Sequence, residues 1–126
     1  MKAVICDDNK SEATRLARIV ESGNIHVVHT CENGRELLKY LRGNEPVDLI
    51  LLDIVMPVLD GYAAFHEIRE HRTPARIVFV SIENSSQLVE NVIKLGARGF
   101  ITKPFDRERV LESLKKALAQ PPATWQ

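Results

Sequence analysis

The chain has 126 residues, 44% apolar and 27% charged, enough for one domain whose core needs neither disulfides nor a structural metal. Seventeen Lys and Arg balance seventeen Asp and Glu, which excludes a global field drawing the molecule onto nucleic acid or an anionic membrane. No apolar run approaches the ~20 residues of a membrane span, and the first meets Asp7 and Asp8 too soon for a signal peptide, so a cytoplasmic location is expected.

Residues 3–6 form the first apolar run, and Asp7, Asp8 and Asn9 follow it directly. Ala13, Leu16, Ala17 and Val20 then recur at helical spacing, with Gly23 beyond them as a candidate left-handed cap. A second run, residues 25–28, precedes His29 and Cys31; the next stripe is Leu37, Leu38 and Leu41, closed by Gly43. The third run, residues 49–52, ends in Asp53 and is followed by Ala64, Phe65 and Ile68. The fourth, residues 77–80, ends in Ser81 and precedes Leu88, Val89, Val92 and Ile93, with Gly96 as the cap. A shorter run at Phe100 and Ile101 leads into Thr102, Lys103 and Pro104, and the last stripe is Val110, Leu111, Leu114, Ala117 and Leu118.

Five short Val- and Ile-rich runs alternating with amphipathic stretches predict an α/β fold with a doubly wound parallel sheet covered by helices on both faces. The domain is expected over residues 1–119. Pro121 and Pro122 cannot continue the last helix, so residues 120–126 read as a tail or the start of a linker. Nothing in the sequence gives Trp125 in that tail an ordered role.

In such sheets the ligand crevice lies at the carboxyl ends of the strands. Asp7, Asp8, Asp53, Ser81 and Lys103 all follow strands and would meet there. Any one carboxylate alone could be a helix cap, as Asp8 or Asn9 could be, but acidic groups on two strands with a hydroxyl and an ammonium on two others predict a site. Clustered carboxylates repel one another, so bringing them together takes a cation or raised pKa values, and a hard divalent metal is the economical answer. An all-oxygen set suits Mg²⁺, completed by a phosphate oxygen that Lys103 and Ser81 could hold.

At these residues the chain resembles the receiver domain of two-component response regulators. The resemblance covers residues 2–119 and is carried by Asp7-Asp8-Asn9, by the segment from Asp53 through Met56-Pro57 to Asp60-Gly61, by Ser81, and by Lys103-Pro104-Phe105. It implies a flavodoxin-like five-stranded sheet in the order 2-1-3-4-5 with five helices. It implies that Asp53 accepts a phosphoryl group from a histidine kinase or histidine phosphotransfer protein, assisting its own phosphorylation and dephosphorylation without being an enzyme on another substrate. By the same resemblance Asp8, Asp53 and the Val55 carbonyl ligate Mg²⁺, Asp7 acts through a metal-bound water, and Lys103 pairs with the phosphoryl group. Lys103-Pro104 is expected to be cis. Ser81 and Phe100 are the expected switch pair, acting on the face of helix four, strand five and helix five. That face would bind a downstream target protein or a fused output domain, with a homodimer as a further possibility; direct nucleic-acid or membrane binding by this segment is not expected.

The family usually has a small residue after the strand-four hydroxyl, whereas this chain has Ile82, which is expected to restrict access to Asp53. A phosphorylation-independent interaction module is therefore the alternative function. Val55 and Glu83 occupy positions that tune phosphoryl lifetime in similar proteins. A haloacid-dehalogenase-type phosphatase would need an Asp where Val55 stands, and a flavodoxin-like carrier would need a Gly- and hydroxyl-rich phosphate loop where Asp7-Asp8-Asn9-Lys10 stands. Among weaker signals, His29-x-Cys31 lacks a second ligand pair, and His66 and His71 fall on different helix faces. Cys6 reads as a small buried hydrophobe of low reactivity, and the mixed charges from Arg107 to Lys116 read as a solvated face or a partner surface.

Overall fold

The computed structural model describes residues 1–43, 46–71 and 73–122; Trp125 lies outside them, as does the side chain of His71. Ten elements alternate strictly: β1 (Lys2–Cys6), α1 (Lys10–Ser22), β2 (His26–Cys31), α2 (Gly34–Gly43), β3 (Leu49–Leu52), α3 (Gly61–His71), β4 (Arg76–Ser81), α4 (Ser86–Lys94), β5 (Gly99–Thr102) and α5 (Arg107–Ala119). All pairings are parallel, in the order β2-β1-β3-β4-β5. This is the expected doubly wound, flavodoxin-like sheet.

The period-two geometry of a strand divides the core into two clusters. Val4, Cys6, Ile50, Leu52, Ile77 and Phe79 face one way and pack against Leu37 and Leu38 of α2, Phe65 and Ile68 of α3 and Val92 of α4. Ala3, Ile5, Leu49, Leu51, Val78, Val80 and Ile101 face the other way, against Leu16 and Val20 of α1 and Val110 and Leu114 of α5. The central strands β3 and β4 are buried at every residue, as their unbroken apolar runs require.

β2 extends three residues past the apolar run read from the sequence. Its outer edge is unpaired among the described residues and half its residues are exposed, so polar His29 and Thr30 are tolerated while the β1 ladder holds the backbone to Cys31. The caps also differ from expectation. Gly23 has φ −96°, and the neighbouring Asn24 takes the left-handed conformation at φ 64°; Gly43 ends α2 from within. Gly96 does cap α4 at φ 114°, its N–H bonded to Ile93 O and that of Ala97 to Val92 O, the paired bonds of a Schellman turn.

At the amino-terminal pole of the sheet two arginines hold the segment after α5. Arg76 Nε donates to Gln120 O (3.0 Å), and Arg98 donates to the carbonyls of Pro121 (3.3 Å) and Pro122 (3.4 Å).

Candidate functional site

Each acidic side chain is delivered by a strand end. β1 runs into Asp7, whose N–H continues the ladder to Cys31 O (3.0 Å); β3 runs into Asp53, whose N–H reaches Cys6 O (3.0 Å). Asn9 caps α1, its side chain accepting the Glu12 N–H at 3.0 Å, which turns the chain sharply and leaves Asp8 exposed at the rim. One oxygen from each of Asp7, Asp8 and Asp53 lies within 4.8 Å of the other two.

Lys103 arrives from the far side of the sheet. Its N–H donates to Ser81 O, the Lys103-Pro104 bond is cis, and the side chain is carried back across the strand ends. Nζ contacts Asp7 Oδ2 at 2.9 Å and Asp53 Oδ2 at 3.1 Å, with the lysine side chain only 8% exposed. Arg15 steadies this turn from α1: its guanidinium lies 4.5 Å over the Phe105 ring and donates to Phe105 O.

The remaining oxygens are partly satisfied. Asp7 Oδ1 accepts the Asn9 N–H (2.9 Å), and Asp53 Oδ1 accepts the Val55 N–H (3.3 Å). Burial raises the pKa of Asp53 above its ordinary 3.8, against the pull of Lys103 and with the help of the Asp7 charge. For Lys103 burial opposes the charge, but the hydrogen bonds to Asp7 and Asp53 outweigh it and hold its pKa above the ordinary 10.5.

Three carboxylates against one ammonium leave an excess of negative charge in a largely buried site. The donors are all hard oxygens with no thiolate or imidazole among them, a set that fits a hard divalent cation.

Ser81 is fully buried, and its Oγ accepts the Glu83 N–H at 3.1 Å; the hydroxyl is thereby turned to its own loop. Phe100 is half-buried at the sheet edge, 6.2 Å from the Phe79 ring. Val55 and Ile82 stand at the rim, 57% and 72% exposed. Gly61 closes the β3–α3 loop: a Cβ there would lie 1.8 Å from Asp53 O, so only glycine fits beside the acidic residue.

Glu12 escaped the sequence reading. Its Oε2 lies 3.4 Å from Lys103 Nζ, adding a third, outer carboxylate to that ammonium. The signal was present in the spacing Asn9-x-x-Glu12, a capping-box pattern that brings an acidic residue back over the first turn. The soft-ligand pair did not form: the His29 ring stacks on Tyr40 with centroids 4.2 Å apart, while Cys31 is buried in the core. His66 packs edge-on to Tyr62 at 4.7 Å.

Comparisons with known proteins agree. The profile of the family described as "Response regulator receiver domain" matches residues 3–115. Chemotaxis protein CheY of Listeria monocytogenes is 38% identical over 117 residues, 93% of this chain and 98% of the relative, and CheY of Bacillus subtilis is 34% identical over the same share of this chain and 97% of its own length. Among solved structures, a chain of the CheX-CheY-BeF3-Mg+2 complex from Borrelia burgdorferi superposes with a TM-score of 0.88 at 30% identity, covering 95% of this chain and 90% of that one.

Proposed function

The chain belongs to the response regulator receiver domain family of two-component signalling, and from that premise we propose that Asp53 is its phosphoacceptor, loaded in a Mg²⁺-dependent transfer from a phosphohistidine donor. The observation that carries this reading is the Lys103 ammonium bridging Asp7 and Asp53 inside a three-carboxylate cluster. Asp7, Asp8, Asp53 and the Val55 carbonyl would hold the metal, Asp7 through a water, and the metal supplies charge neutralisation for the transferring group. The Borrelia relative, solved with BeF3 and Mg+2, supports that assignment.

An Asp53 carboxylate oxygen attacks phosphorus; the new O–P bond forms as the P–N bond breaks and the imidazole departs with its electron pair. The protein contributes position and charge rather than a separate base. Lys103, already 3.1 Å from Asp53 Oδ2, keeps its charge at neutral pH and passes from the carboxylate to a phosphoryl oxygen. Ser81 exchanges its Glu83 contact for the phosphoryl group, and Phe100 fills the space that it leaves. Those exchanged contacts favour one of two arrangements of α4, β5 and α5, the face offered to a downstream target, a fused output domain or a second copy. Water attack on the same phosphoryl group resets the switch, and the whole cycle is assigned to the cytoplasm.

Intact-mass spectrometry after incubation with acetyl phosphate and Mg²⁺ tests the reading. A gain of about 80 Da, one phosphoryl group, that disappears with EDTA and in Asp53→Asn is the expected result. No adduct from acetyl phosphate or from a kinase would overturn it and leave an interaction module that works without phosphorylation.

A further inference from the structure

Cys6 closes β1 and Cys31 closes β2, and the two are direct register partners across the parallel pair. They share a face because the pairing slips once. Ala3 pairs with Val27 but Val4 pairs with His29, so Val28 is passed over. An unbroken period of two would put Cys31 on the face of Val27, toward α1 and α5; after the slip it lies in the opposite cluster together with Cys6.

Both thiols are buried, at 1% and 2% exposure, in the same cluster at the ends of paired strands. Cys6 Sγ also lies 3.2 Å from Asn33 O and 3.6 Å from Met56 Sδ. Paired strands run about 4.8 Å apart, inside the ~4.4–6.8 Å Cα separation that a disulfide spans. β2 is an edge strand whose outer side is unpaired among the described residues, which lets it follow the small shift that a bond requires.

We propose that Cys6 and Cys31 form a reversible intramolecular disulfide under peroxide-class oxidants, a redox modification site one residue from the metal-binding carboxylate Asp7. One sulfur attacks the peroxide O–O bond to give a sulfenic acid and water; the second displaces the sulfenic oxygen as a second water. Both S–H bonds break, one S–S bond forms, and the peroxide takes up the two electrons and two protons. A soft metal ion is the competing occupant of three neighbouring sulfurs. Two thiolates around a monovalent cation would leave net negative charge in the core beside Asp7, whereas the disulfide is neutral. Burial makes the oxidation slow without deciding its end point, because rate follows thiolate fraction and access while equilibrium follows reduction potential.

The full chain is treated with hydrogen peroxide, unfolded in the presence of an alkylating agent, digested without reductant and mapped by mass. The expected product is a cross-linked pair of peptides carrying Cys6 and Cys31, about 2 Da below the sum of the free peptides, reverting to two alkylatable thiols after dithiothreitol. Cys6→Ala and Cys31→Ala, checked for folding by thermal melt, each lose that product. Recovery of both cysteines as alkylated thiols overturns the proposal. So does oxidation only to sulfinic or sulfonic acids, or a cross-link found only between two chains on a non-reducing gel.

Discussion

At the scale of single residues the site is a balance between burial and charge, and Asp53 sits on its unfavourable side. Its folded-state pKa lies above the ordinary 3.8, so the folded chain keeps a proton that the unfolded chain gives up. Stability from this group is therefore greatest below the ordinary value and falls as pH rises through the window above it. Replacing the carboxylate should relieve that loss: metal-free Asp53→Asn is expected to be more stable than the wild type at neutral pH, read by urea denaturation, with the gain vanishing in acid. A variant no more stable than wild type would mean that Lys103 compensates the buried charge in full. Ile82 gives a second residue-level test. Ile82 is 72% exposed just past the end of β4, and Asp53 is 6% exposed; if Ile82 restricts access, Ile82→Ala should speed labelling by acetyl phosphate, and equal rates would remove that idea. The carboxylates, Ser81 and Lys103 were legible in the sequence because each follows an apolar run at the point where a parallel strand must end. Glu12 was not singled out, because a charged residue in a first helical turn looks like any other capping partner.

Elements differ in how firmly they are held. α1 and α5 each bury three or four residues, whereas α4 buries Val92 and is tied to α3 by the Asn91 Nδ2 bond to Tyr62 Oη at 2.7 Å. Removing that bond in Tyr62→Phe should lower the local opening energy of α4 by about 1 kcal/mol. Hydrogen exchange would register it as faster exchange in α4 with α1 unchanged; equal change in both helices would assign the bond a global role instead. The β3–α3 loop is the opposite case. Gly61 N–H bonds Ile54 O at 2.8 Å, and its Cα stands where a side chain would strike the Asp53 carbonyl. Gly61→Ala is expected to destabilise by about 3 kcal/mol and to slow acetyl-phosphate labelling by displacing Asp53; unchanged stability would show that the loop can move aside. Helix existence was readable from three-four spacing throughout, but the ends were less so. Gly23 was expected to be left-handed and Asn24 is instead; the glycine serves close packing, since a Cβ there would lie 2.8 Å from Leu111 Cδ2. The slip between β1 and β2 left no trace in the hydrophobic pattern, since an edge strand with polar residues has little pattern to interrupt.

For the whole molecule, fold class followed from alternation and crossover handedness, strand order came only with the family resemblance, and the two-sided core follows from the same alternation. A cation that binds the folded site and not the unfolded chain must stabilise the entire domain by mass action. Mg²⁺ is expected to raise the unfolding free energy by about 2.7 kcal/mol at a hundredfold excess over its Kd, with most of the gain lost in Asp8→Asn; a melting temperature indifferent to Mg²⁺ would contradict the metal assignment. Because every strand is parallel, the acidic cluster occupies one pole, while the arginines that open β4 and precede β5 clasp residues 120–122 at the other. β4 spans six residues, roughly 20 Å at the rise of an extended strand. Asp53 and Gln120 are therefore a strand's length apart, spanned by the sheet and by α5 alike, with the clasp of Arg76 and Arg98 at the far end.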